Sequence, residues 1–141
     1  MEVIVYTNDN GGVSVTIPSG ELPIETVLVK DCPQNAIIVD NAIFPQNADA
    51  KFFNAWELNG STISVNFDKA KTIANKNLDD VLYKETEHRI NKIKIGLTNT
   101  LNDSDWLQLI NNCRIEISSS TTTQELVDIL NLIEDTIKNN Q

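Results

Sequence analysis

Residues 53–77, FNAWELNGSTISVNFDKAKTIANKN, carry the chain from one kind of structure to another. Two β-favouring runs, Phe53 to Leu58 and Ser61 to Phe67, flank Asn59-Gly60. That pair suits the positive-φ positions of a type I′ turn, so the spacing predicts a β-hairpin. Asp68 then stands as an N-cap before Lys69-Ala70-Lys71-Thr72-Ile73-Ala74. Ala70, Ile73, Ala74, Leu78, Val81 and Leu82 recur at spacings of three and four, the signature of a helix with one apolar face. The chain therefore changes character near Asp68.

On the N-terminal side of that point the punctuation is dense. All four prolines (Pro18, Pro23, Pro33, Pro45) and four of the five glycines lie at or before Gly60. Both residue types interrupt long elements, so short strands and turns are expected there. Val3 to Thr7 and Val13 to Ile17 flank Asn8-Asp9-Asn10-Gly11-Gly12 and predict a first hairpin. A short helix is expected from Pro23 to Lys30, with Ile24, Val27 and Leu28 on one face. Ala36-Ile37-Ile38-Val39-Asp40 is a continuous apolar run of the kind found in a buried central strand. Phe53, Trp56 and Phe67 supply aromatic bulk and are expected in the core.

On the C-terminal side the helical pattern resumes at Ile90, Ile93, Leu97 and Leu101, as one helix or two in series, with Asn75-Lys76-Asn77 as a weak point. Asn102-Asp103-Ser104-Asp105 ends that stretch or turns the chain. Trp106-Leu107-Gln108-Leu109-Ile110 is apolar on both parities and is expected to be buried. Thr122 and Glu125 form a capping box for a last helix from Thr123 to Lys138. Its stripe is Leu126, Ile129, Leu130, Ile133 and Ile137. The expectation is an α+β chain: a small antiparallel β-rich unit over 1–67, with two hairpins and a short helix, then a helical arm over 68–141.

The 141 residues carry a net charge of −9, with 40% hydrophobic and 6% aromatic residues. Residues 1–67 hold eight acids against two bases, and residues 68–141 hold twelve against nine. An acidic chain lacks the basic stripe that releases counterions from phosphates, which argues against nucleic acid as a partner. It also argues against an anionic membrane surface. No apolar run approaches the length of a membrane span, and the N-terminus lacks the basic and apolar regions of a secretory signal. Cytosolic synthesis is therefore expected. The two cysteines, Cys32 and Cys113, belong to no CxxC pair, and His88 is the single histidine. No cofactor or metal and no catalytic residues are expected: zinc lacks ligands, and His88 lies in a charged run that reads as a solvated helix face. Asp103 and Asp105 lack the further ligands of a calcium loop.

Several segments match a recognisable order. Val3 to Pro18, with Asn8-Asp9-Asn10-Gly11-Gly12-Val13-Ser14-Val15, is similar to an "NDGGVSV…P" pattern with Asn10 added, and Ile24 to Pro33 ends in Val29-Lys30-Asp31-Cys32-Pro33. Phe53 to Asn77 carries "F.NAWE" followed by "KAKxIAxKN", and Thr121 to Leu126 carries "TTxxEL". In this combination the chain resembles a diverse set of small proteins of tailed bacteriophages. Asp105-Trp106-Leu107-Gln108-Leu109-Ile110 resembles the "DWTQLP" signature of tail and tail-fibre assembly chaperones, with Leu107 in place of threonine and Ile110 in place of proline.

The resemblance implies a non-enzymatic tail-associated structural or assembly protein acting through protein–protein contacts. Its partners would be other virion or tail proteins, or a second copy of itself. It would reside in the virion, or in the host cytoplasm during assembly. The residues expected to meet a partner are Trp106, Leu109, Ile110, Leu126, Leu130 and Ile133, with packing in the protein's own core as the competing role for each. A head decoration protein and a small host-directed regulator are the alternative functions.

Overall fold

The computed structural model describes residues 1–140 and is α+β, with small antiparallel sheets first and helices after them. The chain divides into two compact units, residues 1–70 and residues 71 onward.

In the first unit, β1 (Glu2–Thr7), β2 (Val13–Thr16) and β3 (Ile37–Asp40) form an antiparallel sheet in the order β2-β1-β3. The central strand is β1, not the 36–40 run: Val3, Ile4 and Val5 are all fully buried, whereas β3 lies at an edge and buries only Val39. The first turn is built by Asn8. Its side-chain oxygen accepts from the amides of Asn10 and Gly12, and Gly11 takes a φ of +74°. Such a turn favours residues that tolerate positive φ or bond their own backbone.

A second sheet pairs β4 (Trp56–Asn59) with β5 (Thr62–Val65). The hairpin is where residues 53–77 place it, but the turn differs. Asn59 pairs with Thr62, so the central residues are Gly60-Ser61. Only Gly60 has positive φ there (+62°), the II′ pattern with glycine first. Phe53 to Ala55 are not strand; they belong to a 3-10 segment over Asp49–Ala55. That geometry turns Phe52 inward and leaves Phe53 exposed, correcting the expectation that Phe53 is core.

Val3 and Val5 share one face of β1 and pack with Val13, Val39, Trp56 and Ile63, so the two sheets close on a common core. Trp56 anchors it. Its indole N–H donates to the Asp49 carbonyl at 3.0 Å, and its ring meets Phe44 at 5.5 Å and Phe53 at 4.9 Å. A buried tryptophan with its polar end satisfied contributes area without a desolvation penalty. Ile4 points to the opposite face, in register with Thr16 and Ile38. The helix α1 (Ile24–Asp31) covers this face: Cys32, just past its end, places Sγ 4.0 Å from Thr16 Oγ1.

The long helix α2 (Phe67–Lys94) begins in this unit. Its cap is Asn66 rather than Asp68: the Asn66 side-chain oxygen accepts from the Lys69 amide at 3.0 Å, and its carbonyl accepts from Ala70. Asn66 also donates to Glu57 at 3.0 Å, and the Lys69 ammonium pairs with the same carboxylate at 2.7 Å. One carboxylate thus ties β4 to the first turn of the helix.

The second unit holds the rest of α2, then α3 (Asp103–Ser119) and α4 (Thr123–Asn139). Helix α2 runs unbroken through Asn75-Lys76-Asn77 and stops at Lys94. Gly96, with φ +78°, sits where a left-handed residue ends a helix. The amide of Leu97 bonds the Lys92 carbonyl at 2.9 Å and that of Gly96 bonds Ile93 at 3.0 Å, completing a Schellman motif. Asn102 does not end a helix; it caps α3, accepting from the Asp105 amide at 2.9 Å. Helix α3 runs well past the Trp106 segment and includes Ser118-Ser119, whose hydroxyls donate to carbonyls within its last turn. The capping box of α4 forms at Thr122 and Glu125.

Three polar links set α2 and α3 side by side and antiparallel. Lys71 donates to the Ser118 carbonyl at 2.8 Å, Arg114 pairs with Asp79 at 2.5 Å, and Arg89 pairs with Asp103 at 2.5 Å. Arg89 is itself buried, at 6% exposure, while Asp103 is open to solvent. It also donates to the Leu101 carbonyl at 2.6 Å and lies over the Trp106 ring, 5.9 Å from its centroid. A buried cation is tolerated when its donors are used and an anion or π face is near.

The Glu57 carboxyl is held below its ordinary value of 4.5, first by the Lys69 hydrogen bond and then by that of Asn66. A depressed folded pKa stabilises above the unfolded value and the effect is lost as pH falls through the folded one. Glu57→Gln is therefore expected to lower the melting temperature near pH 7, with the difference from the parent vanishing once the pH drops below that lowered pKa. Thermal melts of both proteins across this range check it. In the helical unit, Asp103→Ala strands the buried Arg89 guanidinium and should cost about 1.5–3 kcal/mol. Arg89→Met removes the charge and refills the space, so it should cost less in urea titration.

Candidate functional site: exposed faces of the helical unit

Helix α3 buries Trp106, Ile110, Cys113 and Ile117, and α4 buries Leu126, Val127, Ile129 and Ile133. The two helices pack against each other, joined through Ser120, which is buried and donates to the Glu116 carbonyl at 2.7 Å. Four of the six residues expected to meet a partner, Trp106, Ile110, Leu126 and Ile133, are thus buried in the protein itself, which corrects their assignment as contacts. Leu109 and Leu130 are half-buried. The stripe that makes a short helix amphipathic is the one its own bundle consumes first.

What remains open is a different set. Within Asp105-Trp106-Leu107-Gln108, Trp106 faces inward while Leu107 and Gln108 are exposed. Two turns on, Ile115 is also exposed, beside a shallow depression lined by Arg114, Ser118 and Ser119. Tyr83, Ile90 and Ile93 are exposed on α2, and Ile95 and Leu97 just after it.

The exposure of Ile90 and Ile93 reverses the expected apolar face. Leu78 is fully buried, and the inward positions after it are Val81 and Leu82, then Glu85, Arg89 and Lys92, all buried or half-buried. Each residue advances about 100° around an α-helix, so every four-residue step overshoots one face by about 40°. Leu78, Leu82, Thr86 and Ile90 are three such steps, and they move the apolar stripe about 120° away from the buried side. Counting spacings without summing the rotation hides this; a three-residue step in place of one of the fours brings the frame to Arg89.

Two clefts accompany these faces. One of about 280 Å³ in the first unit is lined by Asn8, Asn10, Gly12, Phe53, Asn54 and Lys69, whose ammonium is already paired with Glu57. The other, about 410 Å³, lies between α2 and α4, where His88, Lys84 and Glu85 face Glu134, Ile137 and Lys138. No serine, threonine or cysteine lines the cleft at His88. Among the described residues, no three histidine, cysteine, aspartate or glutamate side chains gather as metal ligands, and no helix is long and apolar enough to cross a membrane.

The cysteines have different surroundings. Cys113 is buried, and its thiol is pushed up from its ordinary value by burial, with Glu116 adding to the effect. Cys32 is only half-buried. Comparison of the chain with protein-family models, curated proteins and solved structures finds no match.

Because the thiolate is the reactive species, native protein treated with iodoacetamide should label at Cys32 and not at Cys113. Both should label in denaturant, and peptide mass spectrometry reads the two sites separately.

Proposed function

We propose that this protein is a tail-associated structural or assembly protein of a tailed bacteriophage, working through protein–protein contacts without catalysis. The class comes from the sequence resemblance over Val3–Pro18, Ile24–Pro33, Phe53–Asn77 and Thr121–Leu126. The observation that carries the contact mechanism is the exposed side of α3. There Leu107 and Ile115 stand free of the core although Trp106, Ile110, Cys113 and Ile117 already fill the buried stripe. An apolar surface left over after the core is built is the common material of a docking face.

Leu107 also lies inside the segment that resembles the assembly-chaperone signature, and of the two residues that depart from that signature Leu107 faces solvent while Ile110 is buried. The partner on this reading is a tail or tail-fibre protein. The helix would present Leu107, Ile115 and the depression beside Arg114 to an apolar patch on that partner.

Mass spectrometry of purified particles, together with affinity capture from infected lysate, tests the reading. The expected result is either tail-level copy number in the particle or absence from it with co-purification of a tail or fibre subunit. Leu107→Asp should abolish that co-purification while circular dichroism stays unchanged. Hundreds of copies per particle would move the protein to the head, and recovery with neither particle nor tail subunit would overturn the proposal.

A further inference from the structure

The distal half of α2 carries an apolar stripe that its own bundle does not use. Tyr83 is 67% exposed, Ile90 47%, Ile93 60% and Leu97 54%. Spacings of seven and three put Tyr83, Ile90 and Ile93 on one side of the helix, and Leu97 lies just past its end. In heptad terms Tyr83 and Ile90 occupy a positions, and Thr86 and Ile93 occupy d. One flank of this stripe is closed by the chain itself, because Arg89 at the g position is committed to Asp103 and Leu101. The other flank is open and carries Glu87 and Lys94 at e, both exposed.

We infer that this stripe is a self-association surface on which a second copy of the chain docks its own α2 antiparallel. The register follows from the sequence. Pairing Ile90 of one copy with Ile93 of the other repeats by symmetry. In that register each e position faces the other copy's e position, so Glu87 meets Lys94 twice. A parallel pairing fails on the same residues. It sets g against the e five positions on, which places Leu82 opposite Glu87 and the already paired Arg89 opposite Lys94, so the acid–base match is lost. Like charges at such positions oppose association, and opposite charges specify the orientation.

The surface is self-complementary, as a twofold contact requires: the acid lies toward the N-terminal end of the stripe and the base toward its C-terminal end. The stretch that is helical in both copies runs from Arg89 to Lys94 and is about 9 Å long at 1.5 Å per residue, so the dimer is a weak, concentration-dependent one. This inference is independent of the tail-protein reading, since the purified chain alone reports it.

Sedimentation velocity of the full chain from micromolar to millimolar concentration should show the mass rising from one copy to two. Ile90→Glu and Ile93→Glu should each weaken association about tenfold or more, with helical circular dichroism unchanged. Glu87→Lys should weaken it as well, and adding Lys94→Glu to that variant should restore it. Should an isoleucine variant lose helicity, the two solvent-exposed charge variants supply the same readout. A chain monomeric at every concentration overturns the inference, as does a dimer indifferent to Ile90→Glu or a charge swap that fails to restore association.

Discussion

The helical unit depends on where one buried cation points. Arg89 enters at a position that a purely apolar helix face would give to leucine. It stays because three separate features accept it: the Asp103 carboxylate, the Leu101 carbonyl and the face of Trp106. All three come from the connection into α3 or from the first turns of α3. Arg89 therefore fixes both the rotation of α2 about its axis and the point where α3 begins. With Arg89 inward, Ile90 and Ile93 have no place but the surface. The apolar stripe available for contact is a consequence of that single burial.

The hairpin-to-helix junction follows the same economy. Glu57 on β4 accepts from both Asn66 and Lys69, and Asn66 caps the helix that Lys69 belongs to. Hydrogen-bonded charge is worth more than neutral pairing, and here it links β4 to the helix start that follows the hairpin turn and β5. Elsewhere in the first unit, valines on β1 and the satisfied indole of Trp56 supply the cohesion.

Much of the fold was legible in the residues. Both hairpins, the short helix after Pro23, the long helix after the second hairpin and the Thr122–Glu125 capping box rest on local chemistry, and local chemistry is what a sequence displays. Other features misled for identifiable reasons. Asp68 looked like the cap because aspartate caps well, but Asn66 reaches the Lys69 amide and is itself held by Glu57. Asn59-Gly60 suggested a type I′ turn, but the strand register moved the turn by one residue. Phe53 and Phe52 are neighbours, and only the 3-10 path of the backbone decides which of them is buried. The expected contact residues were chosen from the strongest apolar stripes, and those stripes are what the helices spend on one another.

The sequence by itself determined the two hairpins, the helical character of the chain after them and the Thr122–Glu125 capping box, because turns, caps and periodicity act over a few residues. Gly96 and Asn102 mark the break between α2 and α3, where the periodic pattern through Leu97 and Leu101 suggested further helix. Only the tertiary structure decided which strand is central and which face of α2 turns inward. Those outcomes depend on summed rotation and on partners distant in the chain. Arg89 at position 89 is an ordinary charged residue until Asp103 and Trp106 are brought to it, and the exposed stripe beside it exists only because they are.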